Sequence, residues 1–280
     1  MRVFVSADIE GITGLVSWSQ AEGPAGSKHD FAFARKMYTH DVSAAVRGAR
    51  AAGATHVVVI DAHGTGKNLL VEDLPEGTQL ISGYGAGVHG MMEGIQNGFD
   101  AAMLVGYHGM AGTAEGVMEH ALAGGLHRFW LNGMEAGEMA VSAATAGAFG
   151  IPLVFVSSDD AGCAEALRVN PALGTYSTKS GMGKFMAQLK HPSETGPGIE
   201  LAAKLAMERA KDIPPVLVEG QVTVRCEFHT SEQVDLACTM ERCRRLDGYT
   251  MEFARPSYLE ALRATYVMFQ LAARGRRSGD

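Results

Sequence analysis

Three apolar, β-rich stretches each hand ligand-type side chains to the loop that follows them. Asp8 and Glu10 follow the run Arg2–Ala7, Asp61 and His63 follow Thr55–Ile60, and Tyr107 and His108 follow Ala101–Val105. Carboxylate oxygens and imidazole nitrogens together suit a hard-to-borderline divalent cation: zinc, with manganese and cobalt also accepted. A single acid at a strand end is ordinarily solvated, and a lone imidazole ordinarily caps a loop or sits satisfied in a core. With Asp8, Glu10, His63 and His108 at equivalent ends of different strands, a shared metal site is the better explanation. A fifth ligand is expected from the segment Met134–Ala148, read as a helix, where Glu135 and Glu138 stand three apart and share a face. Glu138 is the inward candidate, because the small residues of Ala136-Gly137-Glu138-Met139-Ala140 let that helix press close to a sheet. His120 follows the glycine-dense loop that carries His108. An imidazole there serves as general acid or base, or steadies charge beside a metal-activated water; the alternative is an ordinary hairpin histidine.

The elements that must position these residues read as alternating strands and helices. A strand over Arg2–Ala7, a helix from about Asp30 to Ala52 stopped by Gly53, and a strand at Thr55–Ile60 form a β-α-β unit, which calls for a parallel sheet. Further strand-length apolar runs at Gln79–Ser82, Ala101–Val105 and Ile151–Val156 do not alternate with polar residues, as expected of strands covered on both faces. Ligands in such sheets bind beyond the carboxyl ends of the strands. Leu126–Leu131 reads as another strand, ending on Asn132-Gly133. Asp159-Asp160 is expected to cap a helix, with support of the metal shell from outside as the second reading. The tract 174–198, rich in Gly, Ser, Thr and Pro, reads as a crossing loop and domain boundary. Beyond it come a helix at Ile199–Lys211, a strand at Gln221–Phe228, a helix at Ser231–Met240 with the capping box Thr230-x-x-Gln233, a strand at Tyr249–Ala254 and a helix at Ser257–Arg274. The expected fold is α/β: a three-layer sandwich around a mainly parallel sheet with a smaller C-terminal α+β domain. Residues 1–190 form the metal-binding catalytic domain, and residues 191–280 the smaller one, supporting substrate access and oligomerisation.

Composition narrows the function classes. With Lys+Arg 24 against Asp+Glu 31 over 280 residues, a net charge of −7 argues against nucleic acid as a partner. No window is apolar enough to span a membrane, and Met1 leads straight into a strand, so a cytoplasmic protein is expected. The four cysteines form no C-x-x-C pair and are expected to be reduced thiols. Gly83-x-Gly85-x-Gly87 lacks the spacing of a dinucleotide loop, and no serine stands in a G-x-S-x-G elbow.

Five separated motifs, Ser6-Ala7-Asp8-Ile9-Glu10-Gly11, Asp61-Ala62-His63, Gly106-Tyr107-His108, Gly116-Val117-Met118-Glu119-His120 and Gly137-Glu138, resemble the D-aminopeptidase family once called dipeptide transport protein A, in order and spacing over nearly the whole chain. The resemblance implies an aminopeptidase with two zinc ions per subunit. Asp8 would bridge them, with Glu10 and His63 on one side and His108 and Glu138 on the other; His120 would be the catalytic residue. It also implies hydrolysis of the N-terminal bond of short peptides, with a D-alanine preference, and a homodecamer of two stacked five-fold rings. The ligand set alone leaves open another metal-dependent hydrolase, such as an L-aminopeptidase, an amidase or a phosphoester hydrolase, and a non-catalytic peptide-binding or transport accessory protein. Glu119 departs from the family pattern, and a carboxylate there is expected to raise the pKa of His120.

Overall fold

The computed structural model describes residues 1–21, 28–85 and 87–276. In chain order the elements are β1 (Arg2–Ala7), α1 (Trp18–Ala21), α2 (Lys28–Ala51), β2 (His56–Asp61), β3 (Gln79–Ile81), β4 (Ala101–Val105), β5 (Leu126–Leu131), β6 (Met134–Glu135), α3 (Glu138–Ala148), β7 (Leu153–Ser158), α4 (Asp160–Val169), β8 (Gly174–Ser177), β9 (Lys179–Gly183), β10 (Met186–Leu189), α5 (Pro192–Glu208), β11 (Val222–Phe228), α6 (Ser231–Ala237), β12 (Cys243–Arg245), β13 (Thr250–Arg255) and α7 (Tyr258–Ala272).

Six strands form an all-parallel sheet in the order β3-β2-β1-β4-β7-β8. The chain leaves β1 for β2 on one side and later crosses to β4 on the other, so β1 marks the point where the winding reverses. Loops diverge there and leave a crevice at the carboxyl ends. Side chains alternate between two cores, as the pleat requires. Val3, Val5 and Ala7 pack with α2 and α5 on one face; Phe4, Ile60 and Leu104 pack with α3 on the other. Helices on both faces explain why these strands carry no polar register.

A second, antiparallel sheet has the order β12-β13-β11-β5-β6 and is backed by α6 and α7. Two of its strands, β5 and β6, come from the middle of the chain, so Leu126–Glu135 leaves the parallel sheet to complete the sheet of the C-terminal segment. The capping box at Thr230 and Gln233 forms as expected, and Ser257 caps α7.

The tract 174–198 is not a loop. Thr175, Tyr176 and Ser177 extend the parallel sheet as its edge strand, β9 and β10 form a hairpin, and Pro192 occupies the first turn of α5. Pro192 marks the helix start, Pro197 with Gly196 and Gly198 lies within α5, and Gly174, Gly181 and Gly183 belong to β8 and β9. Met134–Ala148 is likewise split: Met134–Glu135 pairs with β5, and the helix begins only at Glu138.

Candidate metal centre

The loops after β1, β2 and β4 are locked together through backbone. Asp8 N–H donates to Val105 O at 2.8 Å, Ala62 N–H to Ala7 O at 2.9 Å, and Gly11 N–H to Gly106 O at 2.7 Å. Two glycines make this approach possible: a Cβ on Gly11 would lie 1.9 Å from Tyr107 O, and one on Gly106, at φ +74°, would lie 2.1 Å from Asp8 O.

All six side chains singled out from the sequence meet in the crevice. Buried Asp8 stands between two imidazoles, with Oδ1 3.2 Å from His63 Nδ1 and Oδ2 3.6 Å from His108 Nε2. His63 Nδ1 is also 3.3 Å from Glu10 Oε1. Glu138 divides its carboxylate in the same way: Oε2 lies 3.3 Å from His108 Nε2, and Oε1 lies 3.7 Å from His120 Nε2. The rings of His108 and His120 stack at 3.9 Å, and Trp18 meets His120 edge-on at 5.1 Å. Among the described residues, Asp8, Glu10 and His108 form one group whose ligand atoms lie within 4.8 Å of one another, and His108, His120 and Glu138 form another. Glu135 faces away on β6, paired with Arg128 at 3.3 Å.

Electrostatics favour a cation here. Burial, and then the neighbouring charge of Glu10, push Asp8 up to about 8, so the site resists holding all of its carboxylates ionised. Burial opposes charge on Glu10 as well, yet His63 holds its carboxyl well below the usual range, while Glu10 in turn raises His63. Against the same burial penalty, Glu138 raises His108 well above the ordinary imidazole value. His120 is lowered, by burial and then by His108. Glu10 Oε2 and His108 Nε2 are buried and make no hydrogen bond. Orphaned ligand atoms of opposite type, among carboxylates that repel one another, fit a bound divalent cation. The set contains oxygen and nitrogen donors and no thiolate, as zinc, manganese or cobalt accepts.

Surrounding groups fix each ring and loop. His108 Nδ1–H donates to Gly109 O at 2.8 Å and His120 Nδ1–H to Met118 O at 3.0 Å, which turns both Nε2 atoms toward the crevice. Asp61 is not part of the cluster. Its buried carboxylate accepts the N–H groups of Asn68 at 2.5 Å and Leu69 at 2.8 Å, and Asn68 Nδ2–H₂ donates to His63 O at 2.8 Å, so Asp61 shapes the loop that presents His63. Asp61→Ala strands those two amides; the expected cost is about 2–4 kcal/mol of stability, read as a lower melting temperature with weakened metal binding. An unchanged melting temperature would show that water satisfies the loop instead.

Asp159 is a helix cap, as expected. It caps α4 through Gly162 N–H at 2.6 Å, and it accepts Val117 N–H at 2.6 Å, anchoring the loop that leads to His120. Glu165, unremarkable in sequence, accepts Met110 N–H at 2.7 Å behind His108. The expectation for Glu119 is overturned. Its carboxylate accepts from Gly112 N–H at 2.6 Å and Lys184 Nζ at 3.0 Å, and His120 is lowered rather than raised.

The cluster lies in a cavity of about 970 Å³. Ile81, Gly83, Tyr84 and Met91 line it from the parallel-sheet side, and His229 and Tyr266 from the C-terminal segment. No described helix is long and apolar enough to cross a membrane.

A profile of the D-aminopeptidase family matches residues 1–267. The D-aminopeptidase of Bacillus subtilis (strain 168) is 29% identical over 275 residues, covering 98% of both chains. The solved structure of the Zn-dependent D-aminopeptidase DppA from Bacillus subtilis, a self-compartmentalizing protease, superposes with a TM-score of 0.93 at 28% identity, over 98% of each chain. With its motifs brought into one crevice, and with the family profile spanning nearly its whole length, the chain belongs to the D-aminopeptidase family.

Proposed function

We propose that this chain is a zinc-dependent aminopeptidase that removes N-terminal D-residues, D-alanine among them, from short peptides. Asp8, Glu10, His63, His108 and Glu138 are the proposed ligands of two zinc ions, and His120 is the proposed catalytic residue. The observation that carries this reading is the division of buried Asp8 between His63 and His108, with Glu10 and Glu138 flanking the two sides. When bound, such ions lower the pKa of a water and polarise a carbonyl.

The chain's own groups supply the rest. His120 keeps Nδ1–H on Met118 O, so Nε2 alone faces the reacting atoms. It is placed to take a proton from the attacking water and return it to the leaving amine. Trp18 packs against the imidazole in an edge-to-face contact. The cavity, lined also by His229 and Tyr266, suits a peptide of a few residues.

Residues 1–190 are proposed as the catalytic domain. Residues 191–280 are proposed as the smaller C-terminal part that bounds substrate access and supports oligomerisation; its first helix, α5, packs on the parallel sheet beside α2. A homo-oligomer, in the decameric form of the family, is proposed as well. Its support is the β9–β10 hairpin, which exposes Met182, Phe185, Met186 and Leu189 together. Action in the cytoplasm is consistent with four free cysteines.

The test is metal content per chain together with hydrolysis of D-Ala and L-Ala para-nitroanilides, before and after chelation. Stoichiometric zinc with chelator-sensitive cleavage of the D-substrate is the expected result. Cleavage of the L-substrate alone would make this an L-aminopeptidase, and peptide bound without turnover in zinc-replete protein would make it a binding protein. His120→Ala is expected to retain zinc while hydrolysis falls by about 10²–10⁴. Loss of zinc with that substitution would instead make His120 a ligand, a role its place in the group with His108 and Glu138 permits.

A further inference from the structure

Lys179, the first residue of β9, is wholly buried. Its Nζ donates to three backbone carbonyls, Glu10 O at 2.6 Å, Ile12 O at 2.9 Å and Leu15 O at 2.7 Å, which uses every ammonium proton. Its neighbour Thr178, also buried, donates from Oγ1 to Gly11 O at 2.7 Å. Two adjacent side chains therefore hold four carbonyls of residues 10–15, a turn that belongs to no helix or strand. From the opposite side, Asp41 on α2 accepts Thr13 N–H at 2.8 Å and Thr13 Oγ1–H at 2.9 Å.

The turn so gripped is the one that carries Glu10 and begins two residues after Asp8. Carbonyls that converge on one point cannot pair with each other and need a donor at their centre; buried without one, each costs as much as a lost hydrogen bond. A tethered ammonium meets that need. Burial opposes its charge, and the carboxylates of Asp159, Asp41 and Glu10 counter part of that cost.

We propose that Lys179 and Thr178 are positioning residues for the metal centre: they form the turn that presents Asp8 and Glu10 before any metal arrives. This rests on Asp8 and Glu10 being ligands, as proposed above. A preformed carboxylate pair binds an ion without first ordering the loop, so the clamp contributes directly to metal affinity.

The experiment compares wild type, Lys179→Met and Thr178→Val by zinc titration against a chromogenic chelator, with circular dichroism and melting temperature of each metal-free protein alongside. Folded Lys179→Met is expected to bind zinc about 10- to 100-fold more weakly, and Thr178→Val, which frees one carbonyl, to lose less. A folded Lys179→Met whose zinc affinity stays within twofold of wild type overturns the proposal and leaves Lys179 as a purely structural lysine. Hydrogen exchange on wild type decides the matter if Lys179→Met fails to fold. The amides of Gly11, Ile12 and Thr13, all hydrogen-bonded within the protein, are expected to exchange as slowly without zinc as with it. Protection that appears only with zinc overturns the clamp. Wild type that takes up no zinc overturns instead the metal reading on which the clamp depends.

Discussion

Asp8→Asn is expected to reduce hydrolysis of the D-substrate by about a thousandfold and to lower zinc content per chain. The substitution keeps the size of the side chain, so packing around a residue that is 2% exposed is preserved. It removes one of the two oxygens that face His63 at 3.2 Å and His108 at 3.6 Å, and turns an amide donor toward a proposed metal position. Several kcal/mol of charge stabilisation depend on the ions staying in place, and about 4 kcal/mol corresponds to three orders of magnitude in rate. Stability separates this effect from misfolding. Without metal, Asp8 is pushed up to about 8 by burial and then by Glu10, so folding must protonate it at neutral pH; an amide avoids that cost, and the metal-free variant should melt no lower than metal-free wild type. Added zinc should then raise the melting temperature of wild type far more than that of the variant. Full zinc content with a near wild-type rate would remove Asp8 from the ligand set.

The second large effect is expected at a position with no side chain. Gly106 has φ +74°, and a Cβ there would meet Asp8 O at 2.1 Å and Ile12 Cγ2 at 2.5 Å. Gly106→Ala therefore adds backbone strain to a collision with the main chain, and no rotamer relieves either. The two contributions, each of about 1–3 kcal/mol, should lower the melting temperature by roughly 10 °C. The chain segments forced apart carry Asp8 and Glu10 on one side and His108 on the other, so zinc affinity should fall with stability. Gly150→Ala is the control: φ is +72°, but nothing lies within 4 Å of the added carbon. It should show the strain without the collision and leave zinc binding intact. Equal effects at the two positions would mean that the loops part easily.

Asp8, Glu10, His63 and His108 were legible in sequence because each follows a strand whose apolar run is unmistakable, and a parallel sheet aligns strand ends. Glu138 stood out from Glu135 through the small residues around it, and the structure buries the first and leaves the second paired with Arg128 at the surface. What could not be read depends on contacts between distant residues of ordinary type. Asp61 resembles a ligand until Asn68 and Leu69 are seen to occupy its oxygens. Glu119 touches His120 in sequence, but Gly112 and Lys184 draw its carboxylate away. Nothing around Lys179 announces that its partners lie at residues 10–15, and a tract rich in Gly, Ser and Thr conceals strands whose pairing is decided by the sheet edge and hairpin they join.

The wiring of the sheet also bears on when this protein becomes able to act. Its central strand is the first to be made, yet the side chains that surround Asp8 come from positions 63, 108, 120 and 138, each reached through a separate crossover or long loop. Parallel neighbours cannot pair until the intervening chain has been synthesised and folded back. A polypeptide emerging from the ribosome with residues 1–137 exposed carries Asp8, Glu10, His63, His108 and His120 but not Glu138. The crevice around Asp8 is therefore completed only after the segment carrying Glu138 has been made and folded back onto the first strand.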